Sequence, residues 1–301
     1  MQSGDNLHLL NIKHFDLDET LDCGQAFRYE KTETGYMGVA HNRHIELAYE
    51  GDNLVLKNVS ANEFESIWKN YFDLGRNYGN LRAFLSEHGG EPMKLATGHS
   101  PGLRHMFQDP WEMLVSFILS QNTNIPRIKS MIRRLCENFG EKLPCGGLAG
   151  LQSEHHGLKT CPPKYPGHAF PTCHRLAQLN ADALGIIKCG YRAEYILDAA
   201  RRTADGKFNP CELKNKETAE IRHELLRIHG VGPKVADCVL LLGFGRIEVC
   251  PVDVWIKRAM AEFYPKGFPD KLLPYAGIAQ QFLFHYVRNR IRPEGHKGGI
   301  S

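Results

Sequence analysis

Long apolar runs are missing from this sequence. Nothing in its 301 residues approaches the ~20 consecutive apolar positions a bilayer-spanning helix needs. The opening Met-Gln-Ser-Gly-Asp-Asn has neither the basic start nor the apolar stretch of a secretion signal. A Cys-x-x-Cys pair is absent too. The nine cysteines (23, 136, 145, 161, 173, 189, 211, 238 and 250) are unevenly spaced and read as free thiols of a reducing, intracellular protein. Cys145, His155, His156, Cys161, Cys173 and His174 crowd one stretch. Without a close ligand pair they read as loop residues rather than a zinc site. Charge of one sign is scarce. Lys and Arg number 37 against 34 Asp and Glu, so only local basic clusters can argue for an anionic partner. The ending "RPEGHKGGIS" carries no basic nuclear signal, which favours a prokaryotic cytoplasm.

What is present has two grammars. Up to residue 60, runs such as "GYMGVAHNRHIELAY" and "NLVLKNV" alternate between Gly, Asn and Asp breaks, the pattern of an antiparallel sheet. From Ala61 the apolar spacing turns helical, through Phe64, Ile67, Trp68 and Tyr71. "HGGEP" and "ATGHSPG" (88–102) read as a linker. Beyond it helical signals dominate, beginning at Asp109-Pro110, an N-cap followed by proline at the first helical position. The expected fold is α+β. An N-terminal antiparallel sheet domain with flanking helices (1–100) precedes a larger all-helical domain (101–301), with a loop insertion at about 141–172.

The stretch "LRIHGVGPKVADC" (226–238) carries the first chemistry. Ile221, Leu225 and Ile228 stripe one helix, and Val235, Val239 and Leu242 stripe the next. A glycine hairpin between them exposes backbone N–H groups at the turn and at the second helix's N-terminus, which together bind anions. A dinucleotide-binding turn needs a preceding strand and a third glycine, where this chain has a helix and Val235. An ordinary helix–helix turn and a DNA phosphate clamp both stay open on these residues alone. Lys234 by itself reads as a phosphate lysine, and Asp253 in "VCPVDVWIKRAM" as an N-cap. Held together at two helix N-termini beside a phosphate, they could attack the anomeric carbon of a nucleotide and stabilise positive charge on its sugar.

These residues, with "LDCGQAFRY" (21–29), "QDPWEMLVSFILSQNTNIPRIKSMIRRLCENFG" (108–140), "KCGYRAEYI" (188–196) and "YAGIAQQFLF" (275–284), resemble the helix-hairpin-helix DNA glycosylases. "GQAFR" narrows the resemblance to the 8-oxoguanine DNA glycosylase/lyases. The motif falls at about 219–243. The resemblance implies a monomeric, base-flipping repair enzyme acting on double-stranded DNA with 8-oxoguanine paired to cytosine.

Lys234 would be the nucleophile, needing an unprotonated amine that desolvation favours. It would form the Schiff base through which β-elimination cuts the strand. Asp253 would stabilise oxocarbenium-like charge. The amides of Gly230, Gly232 and Lys234 would hold a phosphate. Gly24 would offer its carbonyl to the N7 hydrogen found only on the lesion. Cys238 and Phe284 would sandwich the base, and Gln280 would read its Watson–Crick edge. Asn122, Arg127 and Arg192 would read the orphaned cytosine while Tyr191 wedges the duplex. Among Lys129, Arg133 and Arg134, one or two would steer phosphates.

No catalytic metal and no cofactor is implied, beyond a monovalent cation at the backbone carbonyls of Leu226, Ile228 and Val231. The lack of any cysteine after Cys250 excludes a C-terminal iron–sulfur cluster. Trp255 stands where animal relatives carry a histidine, removing one expected phosphate contact. Two alternatives remain. An alkylated-base glycosylase activates water and lacks the lysine, so Lys234 argues against it. A non-catalytic DNA-binding module explains the hairpin but not Asp253 or Gly24.

Overall fold

A computed structural model describes residues 7–9, 12–51, 53–57, 59–143 and 167–291. Most of the expected loop insertion, including Cys145, His155, His156 and Cys161, lies outside the described residues.

β1 (Leu7–Leu9), β2 (Tyr29–Lys31), β3 (Gly35–Ala40), β4 (Arg43–Glu50) and β5 (Asn53–Lys57) form one five-stranded antiparallel sheet, in the order β1-β5-β4-β3-β2. Tyr36 pairs with Leu47 and Leu47 with Leu56, so one cross-strand row is apolar and buried. Trp68, Tyr71 and Phe72, from the helical stretch after Ala61, complete that core. The β3–β4 turn is tight: His41 and Asn42 take φ of 49° and 57°, whose twist suits a two-residue hairpin.

The 88–102 stretch corrects the linker reading. A helix runs Tyr78–His99, interrupted at Gly90, where φ is 69°. Pro92 follows two residues after the break, early in the resumed helix, where a missing N–H costs little. Leu85, Met93 and Ala96 from both halves pack with Phe282 and Leu283 of the C-terminal helix Ala276–Ile291.

The other helical core gathers Pro110–Leu119, Ile125–Phe139, Arg192–Ala204, Thr218–Leu226 and Pro233–Leu242. "GQAFR" stitches the sheet to these helices. The Gln25 amide donates to the Thr20 and Arg104 carbonyls (3.0 and 2.7 Å) and accepts the Met106 N–H (3.1 Å). Phe27 enters the helical core edge-on to Phe117, and Arg28 pairs with Glu112 at 3.3 Å. Near these joins His105 is 1% exposed, and burial pushes it down to about 3.

That burial fixes an acid sensitivity. Folded His105 stays neutral while the unfolded chain takes a proton near pH ~6.5, so the unfolded state binds more protons below that pH. Stability should fall as pH drops from ~6.5 toward 3. Glu112, which burial pushes up to about 7, works in the opposite direction. Urea unfolding of wild type and His105→Gln across this range therefore isolates the His105 contribution, and an identical pH slope in the two would contradict neutral burial.

Candidate active site

The joined parts leave a cleft of about 1410 Å³ between the segment around Gly24, the start of Ile125–Phe139, the hairpin, and the helices Val254–Phe263 and Ala276–Ile291. The hairpin edge depends on Gly230. Its φ is +81°, and a Cβ there would lie 2.2 Å from the Tyr195 ring. Ile221, Leu225, Ile228, Val235, Val239 and Leu242 are all buried, so both apolar stripes seat the hairpin. Gly232 caps Pro233–Leu242 and offers no side chain to its first-turn amides. A Cβ at Gly232 would meet nothing within 4 Å, so the chain's own packing does not demand glycine there.

Lys234 leaves that first turn half-buried, with Nζ 5.1 Å from the Phe117 ring centroid. Cys238 lies one turn on, on the same face. Burial pushes its thiol up to about 11; the Lys234 charge opposes this and the Asp253 charge adds to it. The amine, the thiol and the carboxylate therefore share one corner of the cleft. Asp253 caps Val254–Phe263, its Oδ1 accepting the Ile256 N–H at 2.8 Å. That bond fixes the carboxylate and occupies one of its two oxygens.

Across the cleft, Gln280 and Phe284 stand four residues apart on one helix face, with Gln280 5% exposed. Gln280 Oε1 accepts from Gln281 Nε2 at 2.9 Å, which orients its amide. Gly24 lines the same wall with φ +97°. A Cβ on it would come 2.9 Å from Ile125 Cδ1. Asn122 joins the cleft rim, exposed and at φ 47°.

Lys129 and Arg133 also line the cleft, whereas Tyr191, Arg127 and Arg192 lie off its wall. Tyr191 is 53% exposed, with the Arg192 guanidinium 4.6 Å from its ring centroid. Arg127 is exposed on the helix after the loop. Arg192, expected to face the orphaned base, is 5% exposed. Its guanidinium donates to the carbonyls of Gln121 (3.0 Å), Cys189 (3.0 Å) and Asn122 (3.3 Å). In this arrangement it braces the Gln121–Asn122 loop rather than presenting its donors to DNA.

Several residues that shape the site escaped the sequence reading. Gln121 Nε2 donates to the Gly230 carbonyl at 3.1 Å, tying that loop to the hairpin. Asp198 accepts the His229 N–H at 2.8 Å. Phe117 faces the amine, and the Tyr195 ring lies against Gly230. Among the described residues no group of three His, Cys, Asp or Glu could hold a metal. Nor is any helix there long and apolar enough to cross a membrane.

An amine and a carboxylate delivered by two helix N-termini into one cleft, beside a glycine hairpin, define a helix-hairpin-helix glycosylase site. The comparisons agree. The 8-oxoguanine DNA glycosylase N-terminal domain matches residues 8–114, and the HhH-GPD superfamily base excision DNA repair protein matches residues 115–269. The structure of MBOgg1 in complex with a low affinity DNA ligand is 38% identical, with a TM-score of 0.83 over 96% of this chain and 97% of that one. Clostridium acetobutylicum 8-oxoguanine glycosylase/lyase, in complex with double-stranded DNA containing cytosine opposite 8-oxoG, is 33% identical. Its TM-score is 0.82 over 94% and 95% of the two chains. The N-glycosylase/DNA lyase of Saccharomyces cerevisiae is 36% identical over 174 residues, 54% of this chain but only 42% of that protein. The chain belongs to the HhH-GPD superfamily and, within it, to the 8-oxoguanine DNA glycosylases.

Gly230→Ala should show how far the site depends on its hairpin. Forcing a methyl into the Tyr195 ring costs about 1–3 kcal/mol, and relief requires moving the hairpin. Urea unfolding should register that loss, and titration with duplex DNA should show weaker binding with or without a lesion. Wild-type stability and affinity would contradict this account of the turn.

Proposed function

We propose that this enzyme flips 8-oxoguanine paired with cytosine out of duplex DNA, removes it, and cleaves the strand through a Schiff base on Lys234. The observation that carries this reading is the shared cleft, where Lys234 and Asp253 face the wall made by Gly24, Gln280 and Phe284.

Neutral Lys234 Nζ attacks C1′ as the C1′–N9 bond breaks, and the base departs with the bonding pair and takes up a proton. Asp253 stabilises the positive charge that develops on the sugar. The adduct nitrogen gives up a proton, the C1′–O4′ bond breaks as that nitrogen's lone pair forms the C1′=N bond of the imine, and O4′ takes up a proton to become the C4′ hydroxyl. Loss of a C2′ proton then expels the 3′ phosphate. Phe117 supplies a ring face beside the amine, 5.1 Å from Nζ to its centroid.

Gly24 would accept the lesion's N7 hydrogen, Cys238 and Phe284 would enclose the ring, and Gln280 would read its edge. The amides of Gly230, Gly232 and Lys234 would hold the backbone phosphate, and the open space at Gly232 suits such close approach. Asn122 and Arg127 would meet the orphaned cytosine, with Arg192 bracing their loop, and Tyr191 would wedge the duplex.

The resemblance also implies a monovalent cation at the Leu226, Ile228 and Val231 carbonyls. Ile228 O accepts the Val231 N–H at 3.0 Å and keeps a second lone pair, so a neutral oxygen set fits an alkali cation. It would tie the hairpin down and takes no part in the bond changes. The enzyme would work as a monomer.

Borohydride reduction during incubation with an 8-oxoG:C duplex tests the proposal. Wild type should give a covalent protein–DNA adduct, and Lys234→Gln should give none while still binding the lesion duplex. Base release without an adduct in wild type would favour a water-activating glycosylase. Binding with neither would leave only a DNA-binding module.

A further inference from the structure

Gly24 can discriminate a lesion only if its peptide is held in place, because a single hydrogen is at stake. The anchors of that peptide lie far away in sequence. Lys129 Nζ donates to Asp22 Oδ1 at 2.9 Å and to the Tyr29 carbonyl at 3.3 Å. Four residues earlier on the same helix, Ile125 Cδ1 fills the space where a Gly24 Cβ would stand. From the helix Ala276–Ile291, Arg288 Nη1 donates to the Cys23 carbonyl at 3.4 Å. The helix Ile125–Phe139 starts at its N-cap Asn124, directly after the loop that carries Asn122. Lys129 is 19% exposed and its amine is turned inward, onto protein oxygens.

We infer that Lys129 is a positioning residue for lesion recognition, which through Asp22 holds the Gly24 carbonyl and links it to the orphan-base loop. The inference rests on the proposed function, and it replaces the reading of Lys129 as a phosphate-steering cation. The two readings differ in sign. A phosphate contact strengthens binding to any duplex, and neutralising Asp22 would leave that contact intact or improve it. A positioning pair affects only the preference for the lesion, and breaking it from either end has the same effect.

The test uses full-length Lys234→Gln protein as the parent, so that no turnover intrudes. Dissociation constants are measured for an 8-oxoG:C duplex and the matching G:C duplex across a range of salt concentrations. Lys129→Met and Asp22→Asn should each lower the lesion preference about threefold, the scale of a partly exposed ion pair. The salt slope on G:C DNA should not change.

Equal weakening on both duplexes by Lys129→Met, with the salt slope reduced by about one, would overturn the inference. So would an unchanged preference in Asp22→Asn, which decides the matter alone if Lys129→Met does not fold. A parent with no lesion preference at all would overturn the proposed function itself, and this inference with it.

Discussion

One backbone angle, the φ of +81° at Gly230, supports the whole site. Only glycine adopts it without strain, and only glycine leaves room for the Tyr195 ring beneath it. Once that turn is made, its neighbours secure it: Gln121 holds the Gly230 carbonyl and Asp198 holds the His229 amide. Gly232 then starts a helix whose first-turn amides have no side-chain cap. Lys234 follows at a fixed distance and meets the face of Phe117 and the thiol of Cys238. A shift of the hairpin would carry the amine out of reach of anything in the cleft.

The second catalytic group is placed by the same device. Asp253 is an N-cap, and the bond to the Ile256 amide that starts its helix also aims its carboxylate. Two helix N-termini thus deliver an amine and an acid to one corner, and Gln280 and Phe284 face them from the C-terminal helix. The sheet contributes through "GQAFR", where Gln25 and Arg28 are buried and hydrogen-bonded while Gly24 and Phe27 line the cleft. Trp255 also lines the cleft and puts an aromatic surface beside Asp253.

Much of this was legible in the chain because the signals are local. Alternation through 35–57 announces strands, Asp109-Pro110 announces a helix start, and the stripes around "HGVG" announce a helical hairpin. The resemblance then assigned roles that spacing left open. What escaped is what local pattern does not encode. "HGGEP" looks like a linker, yet a single residue, Gly90, absorbs the break and the helix continues. Arg192 has the chemistry of a base reader, but its burial against the Gln121 and Asn122 carbonyls follows from a fold contact across 71 residues. The Lys129–Asp22 pair spans 107 residues, and no periodicity brings those two positions together.

The central claim is that the amine at position 234 makes the bond to the sugar. The most direct measurement is mass spectrometry of the peptide that carries the reduced DNA remnant after borohydride treatment of the wild-type enzyme. The account predicts the added mass on Lys234. Finding it instead on Lys257, the other lysine near Asp253 on the cleft wall, would contradict it.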